Sequence, residues 1–177
     1  MNRTVSIEEL SAEAFAPFGT FAKLINPQGN TFGTPPIQFT PDILRLDLGG
    51  KSQLGISVCR VEWLPLVVEK VEFHTSTGEG ILPLDADVLV HVAPPTGNAT
   101  CPVVKIRVFR VPKGTCLVLH PGVWHYAPIL ENRTSGSASV LILLPVRTYA
   151  NDCKVKELAE TGDHVEISNP IDDAGPS

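Results

Sequence analysis

The chain has no excess of positive charge, no long apolar run and no paired-cysteine motif, and each absence removes a class of function. Fourteen Lys and Arg stand against nineteen Asp and Glu, a formal net charge of -5. A surface that neutralises phosphates needs the opposite balance, so nucleic acid is not an expected partner. The most apolar stretch, Val140 to Val146, contains Pro145 and falls far short of the ~20 residues that span a bilayer. The opening residues, MNRTVSIEEL, are polar and acidic and lack the apolar segment of a secretory signal. A cytoplasmic protein with no membrane partner is therefore expected. The cysteines, Cys59, Cys101, Cys116 and Cys153, form no C-x-x-C, which argues against a zinc ribbon or a dithiol redox centre. Strand-helix alternation is missing as well, so a doubly wound nucleotide-binding fold is not expected.

What is present is a chain of 177 residues, 43% hydrophobic and 19% charged, enough to bury one core. Ser11 followed by Ala12-Glu13-Ala14-Phe15 predicts a short N-terminal helix, stopped by Pro17 and Gly19. From Ile25 to Pro41 the chain is rich in Asn, Pro, Gly and Thr and reads as a long excursion with turns. Strands are expected at 44–48, 54–63, 66–73, 88–93, 103–111, 115–119 and 139–146. In 103–110, Val104, Ile106 and Val108 should share one face and Lys105, Arg107 and Phe109 the other. Short strands punctuated by Pro and Gly, sixteen prolines in all, indicate an all-β antiparallel barrel or sandwich. A second helix is expected over 154–159, within one domain of residues 1–168, and 169–177 reads as a loose tail.

Two segments concentrate the chemistry. In Glu72-Phe73-His74-Thr75-Ser76-Thr77-Gly78-Glu79, the first and third residues point to one face of a strand, and Glu79 can fold back after a turn. The second segment runs from Gly114 through His120-Pro121-Gly122-Val123-Trp124-His125 and places a histidine on either side of a Pro-Gly turn. Brought into one cavity, these imidazoles and carboxylates suit a divalent metal such as Ni, Zn, Mn or Fe. They equally suit metal-free acid-base chemistry.

These segments resemble the paired motifs of the cupin superfamily. Gly114, His120, Gly122 and His125 follow the spacing of the second motif, and Glu72, His74 and Glu79 stand at the first, with Glu72 in place of its first histidine. Within the cupins the chain is similar to the ureidoglycolate lyase (ureidoglycolate hydrolase) family. The likeness runs through Glu13-Ala14-Phe15-Ala16-Pro17-Phe18-Gly19, Glu72-Phe73-His74, Ile106-Arg107-Val108-Phe109, Gly122-Val123-Trp124-His125 and Asp152-Cys153. Departures sit beside the motifs: the family usually has Gln at Glu79 and His-Pro where this chain has Tyr126-Ala127-Pro128.

The resemblance implies a cupin-type barrel, a homodimer, a role in allantoin and purine catabolism, and a lyase that splits ureidoglycolate into glyoxylate and urea. It implies a metal site of Glu72, His74, Glu79 and His125. The reaction needs a base, an acid and a cation for the substrate carboxylate. His120 or His125 is the expected base and Glu79 the expected acid, should burial raise its pKa. Arg60 or Arg107 is expected to clamp the carboxylate, and Tyr126 to help bind substrate. Another cupin enzyme, such as a metal-dependent isomerase or oxygenase, and a non-catalytic small-molecule-binding cupin remain open at this point. Trp63, Trp124 and His91 are expected to serve packing.

Overall fold

The computed structural model describes residues 1–131 and 133–168; the tail expected at 169–177 lies outside them. The chain opens with β1 (Asn2–Glu9), the single helical turn α1 (Ala12–Phe15) and β2 (Gly19–Lys23). The ribbon β3 (Phe32–Thr34) and β4 (Ile37–Phe39) follows, then β5 (Leu54–Glu62), β6 (Val67–Val68), β7 (Lys70–Phe73), β8 (Glu79–Pro83) and β9 (Val88–Ala93). The second half carries β10 (Arg107–Val111), β11 (Thr115–Leu119), β12 (Trp124–His125), β13 (Ile129–Leu130), β14 (Ser137–Pro145), α2 (Thr148–Asn151), β15 (Lys154–Glu157) and β16 (His164–Ser168).

These strands build two facing sheets. The larger runs β15-β7-β12-β9-β10-β1-β16-β6, with β13 paired to β9; the smaller runs β2-β11-β8-β14-β5. Pairing is antiparallel except at β1, which runs parallel to both β10 and β16. The expected all-β architecture of facing, mainly antiparallel sheets is borne out.

Strand alternation divides the interior into two cores. Val88, Val90 and Val92 of β9 point between the sheets, towards Phe15, Phe109, Ile81 and Leu117. Leu89 and Ala93 point the other way, into a second core with Val5, Val71, Trp124 and Val165. β9 is therefore buried on both faces, which explains a sequence apolar at every position but His91. The Ser11 hydroxyl caps α1 by accepting from the Ala14 N–H at 3.1 Å. Phe15 meets Phe109 edge-on, with ring centroids 5.3 Å apart.

Three local expectations are overturned. Residues 154–157 are not helical: β15 lies along β7, Lys70 and Glu157 pair across the strands at 3.0 Å, and a 3-10 turn follows at Leu158–Thr161. Cross-strand pairing outweighs the helix propensity of Lys, Glu, Leu and Ala here. Residues 44–48 join no ladder; the Asp47 carbonyl instead accepts from the Gly78 N–H at 2.9 Å and the Thr77 hydroxyl at 2.7 Å. Finally, 103–105 forms a 3-10 turn, held by the Arg3 guanidinium donating to the Val103 and Ile106 carbonyls.

Candidate metal centre

Four side chains meet between the sheets, where β7, β8 and β12 come together. His125 pairs directly with Glu72 across β12 and β7, so both side chains share the inner face. His74 follows β7 two residues after Glu72 and points the same way. Glu79, the first residue of β8, pairs with Leu119 and faces inward beside the core residue Ile81. One donor atom from each of Glu72, His74, Glu79 and His125 lies within 4.8 Å of all the others. All but Glu72 are buried.

Hydrogen bonding orients both rings. His74 donates Nδ1–H to the Asp152 carbonyl at 2.7 Å, and His125 donates Nδ1–H to the Val123 carbonyl at 2.9 Å. Each ring then turns Nε2 inward, 2.9 Å from the same Glu79 oxygen, Oε2. The imidazoles stand edge to face, with centroids 5.2 Å apart. Holding Nδ1 on a carbonyl while Nε2 faces a carboxylate cluster is the arrangement found around metal-ligating histidines. Two imidazole nitrogens and two carboxylates converging within this span fit a divalent transition ion.

Charge follows from the same contacts. Burial pushes the Glu79 pKa upward, but the charges and hydrogen bonds of His125 and His74 outweigh it and hold Glu79 down to about 2. The His125 pKa is raised: burial opposes its charged form, and the facing Glu79 carboxylate overcomes that cost. The raised pKa that an acid role for Glu79 calls for is not what these contacts favour. Glu79 is the ionised partner, and its two imidazole neighbours are the reason. Cys59 and Cys153 flank the cluster as neutral thiols. Burial, with the nearby Glu79 and Glu72 charges, raises Cys59. Burial and a hydrogen bond to Glu72 push Cys153 up to about 12.

Other candidate residues lie elsewhere. Arg107 is tied to the Glu8 carboxylate and the Ala14 carbonyl, with its guanidinium over the Phe109 ring at 4.9 Å. Arg60 projects from the outer side of β5, exposed, 3.8 Å from Glu62. β-Alternation turns Cys59 inward and Arg60 outward, whereas Arg107 shares the inner face with Phe109 and is engaged by Glu8. His120 is exposed and lines a groove with Thr20, Asp42 and Arg45. Tyr126, next to the inward His125, faces the opposite way into a surface pocket with Leu64, Pro65 and Lys70. Sequence reasoning overlooked the parts played by Cys59 and by Asp152, since partners brought in by strand pairing leave no local spacing signal. Trp124 and His91 are buried, as expected of packing residues.

A model of the ureidoglycolate lyase family matches residues 2–164. This chain belongs to that family. The ureidoglycolate lyase of Rhodobacter capsulatus is 33% identical over 128 residues, covering 70% of this chain and 78% of the relative. That of Stutzerimonas stutzeri is 32% identical over 134 residues, covering 72% and 76%. Among solved structures, a dTDP sugar isomerase from Desulfovibrio desulfuricans G20 aligns with a TM-score of 0.43 at 18% identity, over 78% of this chain and 84% of that one. Likeness at that level transfers no chemistry. The family expected from the two histidine segments is borne out across most of the chain.

Proposed function

We propose that this protein cleaves the carbon-nitrogen bond of ureidoglycolate, releasing glyoxylate and urea. Membership of the ureidoglycolate lyase family supports the reading of the chain as a lyase of this kind. The observation that carries it is the convergence of the His74 and His125 Nε2 atoms on Glu79 at 2.9 Å each, in a buried pocket of four ligand-type side chains.

Glu72, His74, Glu79 and His125 hold a divalent metal ion in this reading. Held there, such an ion would supply Lewis-acid chemistry and a positive charge for the carboxylate of a small hydroxy acid. The reaction itself moves one proton from oxygen to nitrogen. As the hydroxyl loses its proton the carbon-oxygen double bond of glyoxylate forms, the carbon-nitrogen pair leaves with urea, and that nitrogen is protonated. Glu72 is the group for this transfer. It is the least buried of the four, its side chain 20% exposed, and its Oε1 stands 4.0 Å from His125 Nε2.

Glyoxylate release from racemic ureidoglycolate, measured with and without a chelator, tests the proposal. Turnover in the common range of ~1–1,000 per second, lost with chelator and restored by metal, is expected. No release after supplying Ni, Zn, Mn and Fe would overturn it.

The same reading takes the protein to be a cytoplasmic homodimer. Support for the dimer comes from the β3–β4 ribbon, whose Phe32, Ile37 and Phe39 are 65%, 80% and 63% exposed. Among the described residues, no helix is long and apolar enough to cross a membrane.

A further inference from the structure

Two of the four centre residues, Glu72 and His74, come from the same strand end, and both are gripped by one dipeptide from the far side of the chain. The Asp152 carbonyl accepts the His74 Nδ1–H at 2.7 Å. The Cys153 thiol donates to Glu72 Oε2 at 3.1 Å. The Asp152 carboxylate, in turn, is fixed by the turn that follows His74. Its Oδ1 accepts from the Thr75 N–H and hydroxyl at 2.9 and 2.5 Å, and its Oδ2 from the Ser76 N–H and hydroxyl at 2.9 and 2.6 Å.

The fold brings this about through β15. That strand pairs with β7 in the register Lys154 with Phe73 and Val155 with Glu72, so the residues just before it arrive beside His74. α2 enters the same turn, its C-terminal Asp152 N–H donating to the Thr148 carbonyl at 2.8 Å. Asp152 and Cys153 are therefore wedged between a strand pairing and a helical turn, with little freedom to move.

We propose that Asp152 and Cys153 form a positioning clamp on the centre: the Asp152 carbonyl sets the proton of His74 on Nδ1, and the Cys153 thiol sets the rotation of the Glu72 carboxylate. Neither residue is a ligand. Both act through the residues that they hold, as hydrogen-bond partners behind metal-binding side chains do. A His74 ring released from the carbonyl can carry its proton on Nε2 alone and lose the lone pair that a ligated ion would need there. A Glu72 carboxylate released from the thiol can rotate freely, and its Oε1 then loses its place near His125.

The inference extends the metal-centre reading, and its test separates the two. Asp152→Ala, Cys153→Ala and Cys153→Ser are compared with the parent for Mn²⁺ and Zn²⁺ affinity by calorimetry, and for the His74 tautomer by ¹⁵N NMR of the metal-free protein. Asp152→Ala keeps the carbonyl but removes the four side-chain hydrogen bonds that hold it in place, and is expected to weaken metal binding about 10- to 100-fold and to give His74 a mixture of tautomers. Cys153→Ala is expected to lose several-fold in affinity, and Cys153→Ser, which keeps a donor, to recover most of it. Thermal melts identify any variant that has simply unfolded, and Asp152→Asn, which keeps one acceptor oxygen, then replaces Asp152→Ala. If the parent binds neither ion, the metal reading fails, yet a mixed tautomer in the Asp152 variant still upholds the clamp on His74. A single Nδ1–H tautomer in that variant, or Cys153→Ala binding metal as the parent does, overturns the clamp.

Discussion

His125 and His91, two of the three buried histidines, have opposite pKa shifts that come from what each nitrogen meets. His125 donates from Nδ1 to a carbonyl and faces Glu79 with Nε2, so protonation is favoured and its pKa rises. His91 donates from Nε2 to the Lys70 carbonyl at 3.1 Å, but its buried Nδ1 has no hydrogen-bond partner. A second proton would have no acceptor, and burial holds the His91 pKa down to about 4. The unfolded chain then binds a proton that the folded one refuses between pH ~6.5 and about 4. Stability from this residue is complete above the unfolded pKa and falls as pH drops through that window, by up to about 3 kcal/mol. Denaturant melts of the parent and of His91→Leu across pH 4–7 check it, and a parallel pH dependence in both would refute it. Glu79→Gln separates charge from shape at the other histidine. Without the carboxylate only burial remains as the main influence on His125, so its pKa should drop below the ordinary histidine value. An NMR titration of the chelator-treated variant reads this directly, and a pKa still raised would show that Glu79 is not its cause.

At the scale of elements, strands whose own residues alternate or run apolar were legible, and strands defined by a distant partner were not. β9 and β11 coincide with the expected 88–93 and 115–119. β1 was missed because Asn2–Glu9 is mostly polar, and only Val5 and Ile7 meet the second core, in a ladder between β10 and β16. β15 was mistaken for helix since its pairing with β7 cannot be read from Lys154–Glu157 alone. The candidate centre was legible for a related reason. Glu72 and His74 share a strand face, and the second motif supplied His125, whereas the outward side of Arg60 on its strand and the pairing of the inner-face Arg107 with Glu8 could not be read from spacing. One loop that the sequence misplaced has a clear mechanical role. Gly49 sits at φ +59, and a Cβ there would come 2.0 Å from the Ser76 carbonyl oxygen, in the turn that grips Asp152. Neighbouring Gly50 has φ +75 and open space around the same position. Gly50→Ala should therefore cost only the backbone strain of ~1 kcal/mol, and Gly49→Ala several times that, together with a loss of turnover as the 74–77 turn shifts. Equal melting temperatures for the two variants would mean that the turn does not bear on this loop.

On the scale of the whole molecule, the distribution of apolar surface argues for a second copy of the chain. In the β3–β4 ribbon, Phe32 pairs with Phe39 and Thr34 with Ile37, so these four side chains share one face, while Gly33 and Gln38 take the other. An isolated two-stranded ribbon is marginal in water, and this one exposes its apolar side. The outer side of β5, an edge strand of the smaller sheet, adds Ile56 and Val58, 69% and 64% exposed. The five large apolar side chains together present on the order of 600 Å² to solvent, comparable with the ~800 Å² per partner of a standard interface. A two-fold dimer covers each such surface twice over with the same patch, which a self-complementary arrangement of ribbon and sheet edge can satisfy. Light scattering coupled to gel filtration should accordingly give about twice the 19.0 kDa chain mass at micromolar concentration. Ile37→Glu should yield a monomer, because a carboxylate at the centre of the ribbon face would be buried unpaired, at a cost of several kcal/mol. The four candidate ligands come from one chain, at β7, β8 and β12, so any affinity of the parent for Mn²⁺ or Zn²⁺ should be kept by the monomeric variant even where its melting temperature falls. A parent that runs as a monomer would leave the ribbon's exposed aromatics to some other partner, and metal binding lost together with the dimer would show that the second copy shapes the centre after all.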